Sequence, residues 1–475
     1  MRCATNNSLV LFALALTGCA TPVPQVLGPD MVPKEFVGQV SDSALQIWPA
    51  VDWWQNFGST ELSELITTAG VENRDIVAAT ARLAQARARL TVERSALLPR
   101  FDAQLQKNRT GTQSTGGSSN SVGLNASVNY DLDIWGFQYN KQHAVFEALK
   151  SSKFARQAAA LAITTDVANA YFNLLALRER IALAKEDIDA VDSILDTIKL
   201  KVSAGVSSRL DLAQETAQIE SLRGQLVSLE QLELQARIAL AILIGRPPQM
   251  FEIKAQELGA ISAPLIQPGL PSELLLRRPD IAQAEADLAS AHASVDAARA
   301  ALLPRFPLTG TGGYISTSFQ ALRSGSTFVW DAGASLIQTI FAGGALVGQK
   351  RIAQETQREF IAIYQGTVLN AFGDVENALG EVNYYSRAKD HLRKEVDAAR
   401  EAFEIAQLQY RQGTADLFNV LQTQLTLFAA KDELTRMTLL YLQATVHLYT
   451  ALGGGWIQDP ADRTQLPAAQ SVTNR

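Results

Sequence analysis

Apolar residues recur along this chain with two distinct periods. Val167, Leu174, Ile181, Ile188, Leu195 and Val202 are seven apart, and Ala170, Leu177, Ala184, Val191 and Ile198 fill the position three later. That pairing is the buried seam of a coiled coil, sustained over about five heptads. A second seam repeats the plan with Val375, Val382, Lys389, Val396, Phe403 and Tyr410, accompanied by Ala378, Tyr385, Leu392, Ala399 and Ala406. Shorter seams return along Leu212, Ile219 and Leu226, and along Val420, Leu427, Leu434, Tyr441 and Leu448. A helix over residues 138–204 would be on the order of 100 Å long. Gly205 and Gly413 end the two long helices and turn each into an antiparallel hairpin.

The other period is two. Phe101, Ala103 and Leu105 alternate with polar residues, and a loop rich in Gly, Ser and Thr covers Gly111 to Ser121. Val122, Leu124, Ala126, Val128, Tyr130, Leu132 and Ile134 then alternate with small or polar residues. This run exceeds the ~9–11 residues that a transmembrane strand needs. A weaker copy follows: a Gly-rich strand from Phe306 to Ser318, a loop over 319–327, and alternation through Phe328, Trp330, Ala332, Ala334 and Leu336. Trp135 and Trp330 sit at or near strand ends, where an aromatic girdle or an ordinary core would equally hold them. Before each strand pair comes an Ala-rich helix, the first spanning 61–98 and stopped by Pro99.

The copies are an internal duplication. Ala96-Leu97-Leu98-Pro99-Arg100-Phe101 recurs as Ala301-Leu302-Leu303-Pro304-Arg305-Phe306, Asp75-Ile76 as Asp280-Ile281, Asp166-Val167 as Asp374-Val375, and Gly205 as Gly413. A unit of roughly 200 residues is a whole assembly, not a solenoid repeat. The expected organisation is a signal peptide at 1–18, an extended Pro-rich tether at 19–47, a first repeat at 48–260, a second at 261–456 and a tail at 457–475. The short apolar core Leu9 to Leu16 ends in Leu16-Thr17-Gly18-Cys19, which resembles a bacterial lipobox with Cys19 as the lipidated residue. The residue after it, Ala20, is not Asp, and in lipoproteins of this type that favours sorting to the outer membrane. No other uninterrupted apolar run is read as long enough to span a bilayer, so a spanning chain would have to form a closed β-barrel.

Composition narrows the function. The formal net charge is -6, against a general nucleic-acid binder. Cys3 and Cys19 both lie in the first twenty residues, so the body has no cysteine for a disulfide or a thiolate metal site. His143, His292, His391 and His447 form no HExxH pattern, and neither metal nor cofactor is expected. Four strands cannot close a membrane barrel, which needs about eight, so several chains must pool their strands. Their helices would then ring a duct continuous with the barrel.

At this point the chain resembles the outer membrane factors of the TolC/OprM type, in the lipoprotein branch. The resemblance rests on the lipobox, Trp53-Trp54 with Phe57 and Leu62, Arg277-Arg278-Pro279-Asp280-Ile281 with Ala284-Glu285, the paired Ala-Leu-Leu-Pro-Arg-Phe, and Ala451-Leu452-Gly453-Gly454-Gly455-Trp456. It covers about residues 48–457. It implies a mainly helical fold with strands: a homotrimer whose twelve pooled strands form an outer-membrane barrel above a coiled-coil α-barrel in the periplasm. It implies a passive, non-enzymatic efflux duct, docked by a periplasmic adaptor and an inner-membrane pump of the RND type. A gate of this family joins a Tyr and an Asp near the hairpin turns, which fall here on Tyr410 and Asp211. The family's aspartate ring falls on Asn419 and Gln422, and its latch arginine on Ala415. Amides would constrict without attracting cations as carboxylates do, and nearby Asp416 stands in a different register. The turns Gly205-Val206 and Gly413-Thr414 match the adaptor-contacting tips.

The bare pattern permits plainer roles. Tyr410 falls on the seam register, Asp211 is a carboxylate at a helix start, where the dipole favours it, and the tips are tight turns. Three other functions compete with the duct. An enzyme lacks support, because Gly310-Thr311-Gly312-Gly313 and Gly343-Gly344 lie in or beside strand patterns with no nucleotide-binding spacing. A pore-free coiled-coil lipoprotein needs no alternating strands. A channel for protein secretion keeps the architecture and changes the cargo.

Overall fold

The computed structural model describes residues 26–28, 31–33, 36–37, 49–111, 118–255, 257–264 and 274–456. The signal peptide, Cys19, most of the tether and the 457–475 tail lie outside the described residues. The helices and strands are α1 (Thr60–Glu72), α2 (Arg74–Ser95), β1 (Arg100–Gly111), β2 (Ser118–Leu132), α3 (Phe137–Ser203), α4 (Arg209–Leu243), α5 (Pro279–Ala300), β3 (Phe306–Ser316), α6 (Phe319–Ser324), β4 (Thr327–Ala334), α7 (Ala345–Gln412) and α8 (Leu417–Ala451). The duplication is visible in their lengths. α2 and α5 each have 22 residues, α3 and α7 have 67 and 68, and α4 and α8 each have 35. At 1.5 Å per residue the two long helices each reach about 100 Å.

Several boundaries differ from the sequence reading. The expected 61–98 helix is two helices. Asn73 breaks it with an extended backbone, accepts from the amides of Asp75 and Ile76, and donates its own amide to the Leu243 carbonyl at 2.7 Å. The first strand pair reaches further into the expected loop. Gly111 pairs with Ser118, because ladder hydrogen bonds hold polar residues as well as apolar ones. The second loop contains α6, capped by Ser318. β4 ends at Ala334, and Trp330 lies in its middle, opposite Gly312. Trp135 instead donates its indole N–H to the Pro304 carbonyl at 2.8 Å, tying the two strand pairs together. Of the tether, the described Val26, Leu27, Val32 and Phe36 belong to or pack against a core cluster that includes Tyr364, Val368 and Phe372 of α7. Gln365 holds the Val26 carbonyl at 2.7 Å. An 18-residue stretch of α3 also meets the length and composition of a membrane span, but half of it is buried in the protein.

The sheet is antiparallel, in the order β1-β2-β3-β4, with β1 and β4 as free edges. Its register sorts the side chains by polarity. Phe101, Leu105, Leu124, Val128, Leu308, Tyr314, Phe328 and Trp330 share one face; Asp102, Gln104, Asn125, Ser127, Thr309, Thr311 and Asp331 share the other. Among the described residues the apolar face is largely bare: Phe101 is 77% and Trp330 73% exposed, and Val122 at one end of β2 is buried. Ordinary soluble proteins seldom leave such a patch bare.

The largest core lies below the sheet. Trp53, Phe57, Leu62, Ile66, Val167, Tyr171, Phe172, Leu240, Ile244, Val446 and Tyr449 belong to it, so both copies and the entering chain meet there. Arg278 joins the second copy to the end of α8: it reaches Asp280 at 2.6 Å, Asp374 at 2.9 Å and the Ala451 carbonyl at 3.3 Å.

Candidate functional site

The hairpin tips carry most of the expected site residues. α3 ends beside Gly205, whose positive φ of 72° suits glycine, and Gly413 after α7 repeats it at 75°. The amides of Val206 and Ser207 fold back on the Lys201 carbonyl at 2.9 and 3.3 Å. Those of Gly413 and Thr414 fold back on Tyr410 and Gln409 at 3.2 and 3.0 Å. Val206, Leu200 and Leu210 leave the first tip apolar and exposed.

α4 starts with a capping box. Ser208 accepts from the Asp211 amide at 3.1 Å, and Asp211 Oδ2 accepts from the Ser208 amide at 3.0 Å and the Ser207 hydroxyl at 2.7 Å. The Ser207 hydroxyl and the Ser208 amide hold the Asp211 carboxyl below its ordinary range. Tyr410 is buried among Ile194, Ile198, Ala406, Leu417 and Val420, a cluster drawn from both hairpins. Asp211 and Tyr410 are neighbours but not hydrogen-bonded partners. Asp211 is engaged by its own helix start, and the Tyr410 phenolic oxygen is buried without a hydrogen-bond partner. Burial raises the phenol, with Ser207 opposing and the charges of Asp211 and Glu215 adding to the rise. Asn419 and Gln422 are exposed on the first turns of α8, three apart and so on one face.

Three residues at the tips escaped the sequence reading. Lys201 places its ammonium 3.7 Å from the Tyr410 ring centroid and donates to the Tyr410 carbonyl at 3.2 Å. Glu215 is fully buried with both carboxylate oxygens unpartnered, and Gln424 is nearly so with its amide unpartnered. A seam charge was the available signal, since Glu215 follows Leu212 by three and precedes Ile219 by four. Burial pushes Glu215 up to about 7. Its folded value lies above its unfolded one, so the hairpin is most stable below the ordinary carboxylate range and loses stability as pH rises toward 7. Glu215→Gln is therefore expected to stabilise the protein by on the order of 2 kcal/mol at pH 8 and not at pH 4. Thermal unfolding at the two pH values checks this; equal shifts at both would contradict it. Further up, Arg180 clasps Asp432 at 2.6 and 3.1 Å, and Lys431 reaches Glu186 at 3.2 Å, so α3 and α8 are also joined by charge.

A bare apolar sheet face with a polar reverse, standing on two coiled hairpins of about 100 Å, defines an outer-membrane channel with a periplasmic extension. The chain belongs to the outer membrane efflux protein family, whose model matches residues 65–246 and 270–454. The pyoverdine export outer membrane protein OpmQ of Pseudomonas aeruginosa is 36% identical, over 96% of this chain and 98% of that protein. The probable outer membrane lipoprotein SilC of Salmonella typhimurium is 27% identical, over 93% and 97%. The open-state crystal structure of the Neisseria gonorrhoeae MtrE outer membrane channel matches with a TM-score of 0.84 and 30% identity, over 94% of this chain and all of that one. The protein is thus an outer-membrane efflux channel and not an enzyme. Channels of this family are trimers that work with adaptor proteins and inner-membrane pumps.

Proposed function

We propose that this chain is the exit duct of a tripartite efflux system, lipid-anchored at Cys19, serving an RND-type pump through a periplasmic adaptor. The supporting observation is the two-faced sheet: lipid meets Phe101, Leu124 and Trp330, and Asn125, Ser127 and Asp331 line water. The first repeat over 48–260 and the second over 261–456 each contribute one strand pair and one hairpin. The gate sits at the tips. Tyr410 and Asp211 lie where the hairpins meet, and Asn419 and Gln422 line the narrowest point with amides, which lowers its attraction for cations. Gly205-Val206 and Gly413-Thr414 receive the adaptor. Pyoverdine, the cargo named for OpmQ, is the first to try.

The test is complementation of a strain lacking its own outer-membrane efflux channel. Wild-type protein is expected to restore drug resistance, and extracellular pyoverdine if that cargo is carried. A chain that accumulates in the outer membrane and restores no export would favour the pore-free lipoprotein.

A further inference from the structure

We propose that Lys201 is the positioning residue that clasps the two hairpin tips together in the resting channel, through the ring and backbone of Tyr410. The proposal rests on the reading of the tips as the gate.

Lys201 occupies a junction of both turns. Its carbonyl accepts the Val206 and Ser207 amides, so the first tip is folded onto it. Its ammonium reaches the carbonyl end of α7, where unsatisfied acceptors and the helix dipole favour a cation. The acceptor there, the Tyr410 carbonyl, also takes the Gly413 amide that shapes the second tip. The same ammonium faces the Tyr410 ring at 3.7 Å, within cation–π range. One side chain therefore ties the end of α3 to the end of α7, 209 residues away in sequence.

The obvious competitor is the Tyr410 hydroxyl bonding Asp211, and the geometry disfavours it. Asp211 is taken up by Ser207 and Ser208, and no hydrogen bond joins it to the phenolic oxygen. What the second hairpin offers the first is a π-face and a carbonyl, and Lys201 is chemically matched to both. Movement of one hairpin relative to the other would separate Lys201 from Tyr410. Arginine keeps a cation, a donor and an affinity for aromatic faces, whereas methionine keeps only the apolar stem.

The experiment compares purified trimers in planar bilayers, without adaptor, and vancomycin entry into cells making the same proteins. Lys201→Met is expected to raise resting conductance at least threefold and admit vancomycin. Lys201→Arg is expected to match wild type. Tyr410→Phe keeps ring and carbonyl and is expected to stay closed, and Tyr410→Leu removes the ring and is expected to leak. Native mass confirms that each variant is a trimer, and if Lys201→Met does not assemble, Tyr410→Leu carries the test. Unchanged conductance in the assembled variant overturns the clasp, as does a Tyr410→Phe channel that leaks like Lys201→Met. If wild-type protein fails the complementation above, the channel reading falls and the clasp with it. If it complements and Lys201→Met stays closed, only the clasp falls.

Discussion

Leu124→Arg is expected to remove most of the assembled channel from the outer membrane, and Ser127→Arg is expected to leave its amount unchanged. Leu124 lies mid-strand on β2, between Leu105 of β1 and Tyr314 of β3, on the apolar face, where all three are exposed. An arginine near the bilayer midplane of a barrel costs about 2–4 kcal/mol per chain, and a trimer carries the cost three times. Ser127 is three residues on, flanked by Asp102 and Thr311 on the polar face. There an arginine is solvated by water and meets a carboxylate on the neighbouring strand. The measurement is trimer yield in outer-membrane fractions, followed by urea unfolding in lipid bilayers. Equal tolerance at the two positions would mean that the sheet does not present one face to lipid, and the barrel would have to be abandoned.

The parts legible in the sequence are those governed by a local period. The seams from Val167 and Val375 were plain because their apolar positions repeat every seven residues, and the structure buries Val167, Ile198, Val375 and Tyr410 and half-buries Val202. β2 was plain because its polar face, Gly123 apart, carries Ser, Asn and Asp. β3 was fainter for a physical reason: Gly310 and Gly313 have no side chain to mark a face, and an added Cβ there would run into Val128 and Asn125 on β2. The break at Asn73 was hidden because its deciding contact, to the Leu243 carbonyl, lies 170 residues away. At the tips, the resemblance pairs Tyr410 with Asp211, whereas the structure takes up the Asp211 carboxylate with Ser207 and Ser208. The spacing of Ser208 and Asp211 already fits a capping box, which accounts for where the carboxylate is held. Lys201 left no local trace, because a basic residue in a helix's last turn is ordinary and its partner is on the other repeat.

Two of the motifs that carried the resemblance, Trp53-Trp54 and Gly453-Gly454-Gly455, meet in one packed joint, and Trp53→Ala is expected to destabilise it by about 3–5 kcal/mol. Trp53 is fully buried, stacked on Tyr449 at 5.0 Å and set edge-on to Phe57 at 6.0 Å. Gly454 and Gly455 lie against its ring, where a larger residue would collide with Trp53 or Pro49, and the Gly455 amide holds the Ala50 carbonyl at 3.3 Å. The Trp-Trp and the Gly-Gly-Gly motifs, at opposite ends of the sequence, thus close the same core. The Trp53 indole N–H has no hydrogen-bond partner, so the cost of truncation is packing and not a lost bond. Trp53→Phe should accordingly cost much less, since an aromatic ring can still stack on Tyr449. Denaturant midpoints of the two variants give the comparison, with trimer yield as the second readout. Transport per assembled trimer is expected to be unchanged in Trp53→Phe, because the joint lies away from the tips. A Trp53→Ala protein as stable as wild type would show that the motif is kept for a contact made outside this chain and not for its core.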